Sequence, residues 1–173
     1  MAEMRHNSDS HPADAVNRIQ ITEEITLVTL IGMSANLSTI SELFCEIAAA
    51  GINVDMISQS PPMGSAINLH FTIKDGDLGT TLSLLGRNKE RFPVKRLEVT
   101  SGNVKLNFSG ELMREFEGVA GDVFCKLALL DVTPKLVTTS ETDISILTAN
   151  LDLSVAAAAF ERDFNVTPEF LPA

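Results

Sequence analysis

Few side chains in this sequence are of a type, and at a spacing, that could carry out covalent chemistry. Cys45 and Cys125 are the only two cysteines, and neither sits in a CxxC pair of the kind that poises a thiol for redox or metal work. His70 is the only histidine beyond the N-terminal stretch; it lies in the alternating run "AINLHFTI", and no Cys or Asp is placed to complete a triad or a metal set with it. His6, Asp9, His11 and Asp14 are ligand types, but they stand in a stretch with no hydrophobic periodicity, so the first 15 residues read as a mobile tail rather than a metal site. No Walker-type loop is present to cradle a nucleotide phosphate. What remains is the chemistry of binding. The stretches "GINVDMISQS" at 51–60 and "DVTPKLVTTS" at 131–140 mix carboxylate, amide and hydroxyl groups with apolar residues. Asp55 can pair with an ammonium group, and Asn53 and Gln59 can both donate and accept hydrogen bonds. The same side chains would equally face water on an alternating strand. No cofactor is expected.

The elements that must position these groups follow from periodicity. "NRIQI" and "ITLVTLI" are β-branched runs of strand length. Ile40, Leu43, Phe44 and Ile47 recur at helical spacing, with Thr39 and Glu42 at capping-box spacing and Gly51 as a stop. "INVDMIS" and "AINLHFTI" alternate as two half-buried strands around the turn "QSPPMGS". Leu78, Leu82 and Leu85 mark a second helix, and "PVKRLEV" a returning strand. The order then repeats. "VKLNFSG" reads as a strand, and "GVAGDVFCKLALL" as a helix with Val119, Val123, Phe124 and Leu127 on one face. "PKLVTTS" and "DISILTA" read as strands, "LSVAAAAFERDF" as a helix, and "VTPEF" closes the chain. An offset of 80 superimposes "LFCEIAAAGI" on "VFCKLALLDV", which pairs Phe44 with Phe124, Cys45 with Cys125 and Ser60 with Ser140. Each unit has the split βαβ order of a ferredoxin-like domain, and a two-fold repeat is a tandem pair rather than a solenoid. Each Cys follows a Phe that looks buried, so both read as packing residues.

Bulk properties narrow the partners. With 173 residues, 45% hydrophobic and 21% charged, the chain can bury a real core. A formal net charge of −10 argues against nucleic acid and anionic membranes. Apolar runs such as "ITLVTLIGM" are short of the roughly 20 residues that span a bilayer, and the N-terminus is too polar for a signal peptide. A soluble cytoplasmic protein with reduced cysteines is expected. Five of the 13 basic residues, Arg87, Lys89, Arg91, Lys95 and Arg96, fall in "GRNKERFPVKR", which reads as a solvated connector, with docking of an acidic partner as the other reading.

Over roughly residues 16 to 170 the chain resembles the regulatory region of aspartokinases, a tandem pair of ACT domains. The residues that carry this are "GINVDMISQS" with "NLHFTI" in the first repeat, then "GELMREFEGVA" and "TTSETDISIL" in the second. The last two are similar to the family's G-x-G-M-R-x-x-x-G-V-A loop and T-S-E-x-x-I-S strand. The resemblance implies an α+β fold of two ferredoxin-like βαββαβ ACT domains, antiparallel sheets with helices on one face. They would occupy 16–100 and 101–173 after the tail at 1–15, and the C-terminal strand would be free to pair back to the first domain. It does not extend to the large kinase domain of an aspartokinase, so no enzymatic activity is expected. Some aspartokinases carry a small subunit made of this region alone, and the chain is similar to that subunit in length and order.

In that family, effectors bind where two ACT units meet, between the loop leading into the first helix and the start of the next strand. Helix N-terminal N–H groups would take the ligand carboxylate, and an acidic side chain the ammonium. Carried onto this sequence, the resemblance implicates Ser34, Asn36 and Ser38 in the loop and Asn53, Val54, Asp55 and Gln59 in the strand. From the second repeat it implicates Met113, Thr138, Thr139, Ser140 and Glu141. The implied function is a non-catalytic sensor of a small amino acid of the lysine or threonine class, homodimeric through ACT sheets or helices and signalling to an enzyme partner. The loop reads Ala35, Asn36, Leu37 and Ser38 where the family has Asp, a basic residue, Pro and Gly, which supports an alternative: an interaction subunit that no longer binds amino acids. In the second repeat Leu112 stands in place of a Gly, Lys135 reverses the charge found at Asp55, and Pro134 marks an edge or a bulge.

Overall fold

The two β-branched runs near the N-terminus form one strand rather than two. In a computed structural model that describes residues 12–149 and 151–173, β1 runs unbroken from Arg18–Ser34. His6, Asp9 and His11, and the tail expected over residues 1–11, lie outside the described residues. Residues 12–15, read from sequence as part of that tail, form a 3-10 turn, Pro12–Ala15, whose Ala13 and Ala15 are buried.

After β1 come α1 (Leu37–Ala49), β2 (Ile57–Gln59), β3 (Ala66–Lys74), α2 (Leu78–Arg87) and β4 (Arg96–Ser109). The second half adds α3 (Val119–Leu129), β5 (Pro134–Thr139), β6 (Asp143–Thr148), α4 (Leu153–Phe164) and β7 (Glu169–Leu171). The two ferredoxin-like ACT units expected from sequence share a single seven-stranded sheet of order β2-β3-β1-β4-β6-β5, with β7 pairing β1. All ladders are antiparallel except that of β7, which runs parallel to β1 with Phe170 beside Ile21.

The sheet is continuous because β1 and β4 are each long enough to serve both units. The C-terminal half of β1 packs with β3, α1 and α2 around Leu30, Leu43, Phe71 and Leu84. Its N-terminal half, Ile19 and Ile21, joins Leu106 and Phe108 of β4, Ile144 and Ile146 of β6, and helices α3 and α4 in a second core. Residues 16 to 22, assigned from sequence to the first unit, thus pack in the second. A period-2 strand buries whichever face meets helices, and nothing in that pattern says which helices those are. Between the halves the β1–β4 register shifts around Glu24 (φ 58°) and Gly102 (φ 67°), as at a bulge. A small third cluster of Ile25, Leu27, Met56, Leu136 and Leu147 joins the helix-free faces there.

Local signals are met unevenly. Helix α1 is capped by Asn36, whose side chain accepts from the Ser38 amide, rather than by the Thr39 and Glu42 pair. On α2 the buried side chains are Thr81, Leu84 and Leu85, and Leu82 is exposed. On α3 Phe124 is exposed, and both cysteines are exposed free thiols, so neither Phe124 nor the cysteines are the packing residues expected. Of "INVDMIS" only Ile57 and Ser58 fall in a strand. Pro134 opens the edge strand β5 next to a register shift, so it marks both an edge and an irregularity.

The repeat is visible in the backbone. After α1, the Gly51 amide bonds to Ala48 O and the Ile52 amide to Ile47 O; after α3, Asp131 bonds to Ala128 O and Val132 to Leu127 O. Both are Schellman turns at the same offset. Gly51 takes φ 76° without cost, whereas Asp131 holds φ 55° with a side chain, and its carboxylate sits at the negative end of the helix. Asp131→Gly is therefore expected to raise unfolding free energy by about 1 kcal/mol, read from a urea midpoint that moves up at constant slope. Among the described residues no helix is long and apolar enough to cross a membrane.

Candidate functional site

The second unit's sheet has one face under α3 and α4. Alternation sends Gln20 of β1, Lys105 and Asn107 of β4, Thr138 of β5 and Ser145 of β6 to the other face, opposite Ile19, Leu106 and Ile144. That polar face is the floor of a groove of about 560 Å³. Its wall comes from the first unit, where Asp55 and Met56 are tied to β3. The Asp55 amide donates to Thr72 O (3.2 Å), and the Met56 amide to Thr72 Oγ1 (2.9 Å).

Across the groove Lys105 Nζ meets Asp55 Oδ2 at 2.5 Å, an ion pair between the two repeats. The Lys105 side chain is 18% exposed and that of Asp55 is 44% exposed, so the cation is the more enclosed partner. Asn107 Nδ2 donates to Ser145 Oγ (2.9 Å), and the Ser140 hydroxyl donates to Asp143. Asp55, Glu111 and Asp143 together set three carboxylates in the lining against the one ammonium of Lys105. At one end Gln20 Nε2 donates to Glu169 (3.2 Å). The Arg18 guanidinium first, and then Gln20, hold the Glu169 carboxyl below its ordinary range. Such a lining can bind a small polar molecule that carries both charges. Among the described residues no group of three or more His, Cys, Asp or Glu side chains is placed to hold a metal ion.

The structure brings Asp55 and Thr138 together in this groove, and Ser140 touches it through Asp143. The other sequence candidates lie elsewhere. Ser34, Asn36 and Ser38 bond one another at the start of α1: Ser34 Oγ accepts from the Asn36 amide, and Asn36 Oδ1 from the Ser38 amide and hydroxyl. Asn53 and Gln59 are exposed, and Val54 packs partly against the first core. Met113 is buried in the second core. Thr139 and Glu141 are exposed where β5 turns into β6. Lys135, whose charge opposes an ammonium in the aligned position, is not in the groove but donates to Asn103 Oδ1 at 2.7 Å. Sequence reading missed Lys105, Asn107, Asp143 and Ser145. Their alternation with Leu106, Phe108, Ile144 and Ile146 placed them on a polar face, but nothing local to them says that Asp55 stands opposite.

No family model matches the chain. It is 33% identical over 152 residues to an aspartokinase of Bacillus sp. (strain MGA3), covering 88% of this chain and 37% of that protein. The chain thus spans well under half the length of the curated relatives it matches. The ligand-free regulatory subunit of aspartate kinase from Thermus thermophilus superposes with a TM-score of 0.77 at 23% identity, covering 87% of this chain and 99% of that one. Aspartokinase III of E. coli in complex with lysine and aspartate superposes with a TM-score of 0.65 at 20% identity, covering 87% of this chain and 33% of that one. The likeness is to the regulatory part of these enzymes.

Proposed function

We infer, from a chain similar to the aspartokinase regulatory region over 88% of its length, that it is a non-catalytic sensor of a small amino acid and reports to a catalytic domain on the same or another chain. The observation that carries the reading is the Asp55 and Lys105 pair, one carboxylate and one ammonium facing each other from different repeats. An α-amino acid carries the complementary two charges. Its ammonium would take Asp55, its carboxylate Lys105, and its side chain would lie along Asn107, Thr138 and Ser145, where Asp143 favours a polar or cationic end. Binding exchanges one inter-repeat ion pair for two ligand bridges and so joins the repeats through the ligand. Lysine or threonine is the class expected, and the E. coli relative in complex with lysine supports it. A cytoplasmic location belongs to the same reading.

The test is thermal unfolding of the protein with each of the twenty amino acids at millimolar concentration, followed by calorimetry. A ligand at a hundredfold excess over its dissociation constant adds about 2.7 kcal/mol to the folded state. The expected result is a stabilising shift with lysine or threonine that disappears in Asp55→Ala. If no amino acid shifts the transition, the alternative stands: an interaction subunit without a ligand. The mutual bonding of Ser34, Asn36 and Ser38 favours that alternative for the helix-leading loop, because it occupies the groups a ligand would use.

A further inference from the structure

The segment that carries Asp55 breaks the alternation of a strand just where it meets the second unit. Ile57 pairs with Phe71 of the first core and so lies on the helix-covered side of the sheet. Strict alternation from Ile57 would send Met56 to the helix-free side and turn Asp55 back to the helix-covered side. Instead Val54 packs partly against the first core, Met56 belongs to the third cluster on the helix-free side, and Asp55 lines the groove beside Met56. Two consecutive side chains thus face the second unit. Both residues stand opposite Thr72: the Asp55 amide donates to Thr72 O at 3.2 Å, and the Thr72 amide donates to Met56 O at 3.0 Å. Two residues opposite one make a β-bulge, a device that re-aims a side chain.

The extra residue of a bulge disrupts the ladder and leaves an amide to be satisfied in another way. Here that amide is the one of Met56, a buried residue, and it donates to Thr72 Oγ1 at 2.9 Å. Thr72 is itself fully buried. Alternation along β3 sends its neighbours Phe71 and Ile73 into the first core and its own side chain to the helix-free side, where it lies opposite Leu27 of the third cluster. The Thr72 hydroxyl therefore supplies the acceptor that the ladder lacks at this point. A valine of the same shape would leave a buried donor unpaired. Pairing it again through the ladder means losing the extra residue, and a shift of one residue turns Asp55 to the other side of the strand.

We propose that Thr72 is the positioning residue of the groove: its hydroxyl holds the bulge at Asp55 and Met56 and thereby turns the Asp55 carboxylate towards Lys105. The consequence for amino-acid binding rests on the sensor reading above, whereas the placement of Asp55 does not.

Two measurements keep these apart. A carbodiimide joins a carboxylate to an amine with loss of water and no spacer, so Asp55 Oδ2 and Lys105 Nζ, 2.5 Å apart, should link in the ligand-free protein and be found as one joined peptide by mass spectrometry. Thr72→Val should lower the yield of that link by about tenfold, and the affinity for lysine by a similar factor. Thr72→Ser keeps the hydroxyl and loses the methyl group, so it should retain both. A packing role predicts the reverse order, because serine leaves a void and valine does not. Where Thr72→Val does not fold, hydrogen exchange of the Met56 amide in the native protein decides: protection is expected, and exchange at the rate of an exposed amide overturns the proposal. It is also overturned if the wild-type protein gives no link, if Thr72→Val leaves the link unchanged, or if Thr72→Ser loses it as fully as Thr72→Val. If the link follows the Thr72 hydroxyl and no amino acid shifts the wild-type unfolding transition, the sensor reading falls and the placement of Asp55 by Thr72 stands.

Discussion

Replacing Asn103 with alanine is expected to lower the unfolding free energy by about 3 kcal/mol, among the largest effects available to a single polar side chain here. Asn103 is fully buried at the point where β1 and β4 leave one unit and enter the other. Its amide donates to Ile25 O at 2.7 Å and Thr100 O at 2.6 Å, and its Oδ1 accepts from Lys135 Nζ at 2.7 Å. Truncation removes three hydrogen bonds, one of them to a charged group, and leaves the carbonyl of buried Ile25 without this donor. A neutral bond contributes about 1 kcal/mol net and a charge-assisted one about twice that. Asp75 ties the same region from the first unit, accepting from Thr26 Oγ1 (2.5 Å) and from the Gly102 amide (3.0 Å). Urea unfolding followed by circular dichroism would measure the loss. A change under about 1 kcal/mol would mean that water or relaxation replaces these bonds, and that the junction is held by the apolar cluster instead. Because Asp55 and Lys105 come from opposite sides of this junction, the same variant should also weaken any amino-acid shift without touching the groove.

Gly110→Ala should cost about 3 kcal/mol or more, for a purely steric reason. A Cβ at Gly110 would lie 1.9 Å from the Ala15 carbonyl oxygen and 3.2 Å from the Asn17 nitrogen, both backbone atoms that cannot rotate away. The N-terminal segment passes that close because the Asn17 amide bonds to Ser109 O and the Gly110 amide to Thr142 O. Accommodating a methyl group means lifting residues 12–17 off the second core, where Ala13, Ala15 and Val16 are buried. Increased proteolysis near residue 15 and a lowered urea midpoint would report it. Gly121→Ala supplies the contrast: that position is inside α3 with nothing within 4 Å of the added carbon, so it should gain up to about 1 kcal/mol from helix propensity. If both substitutions behaved alike, the close approach at Ala15 would not govern the site.

These two positions also mark where reading the sequence succeeds and where it stops. Gly110 stands out as the first glycine of "GELMREFEGVA", but that it yields to the carbonyl of Ala15 requires knowing that a segment 95 residues earlier crosses it. Asn103 carries no local signal at all. Helices α1 and α3 were legible from apolar spacing because i, i+3 and i+4 share a face whatever the fold. The exposure of Phe124 beside buried Val123 was not, since the width of the buried stripe depends on what packs against it. Met113 looked like part of a binding loop and is a core residue, because the turn Glu111–Arg114 folds back onto α3 and the N-terminal segment.

The sequence by itself determined the repeated order of strands and helices, the stop of α1 at Gly51, and the alternation that gives the second sheet its polar face. Each depends on contacts within a few residues, where periodicity and backbone preference act directly. Only the tertiary structure decided that the two units share one sheet, that the first strand serves both cores, and that Asp55 of one repeat faces Lys105 of the other. Those outcomes join residues tens of positions apart through long-range strand pairing, and a period-2 pattern reads the same whichever partner it finds.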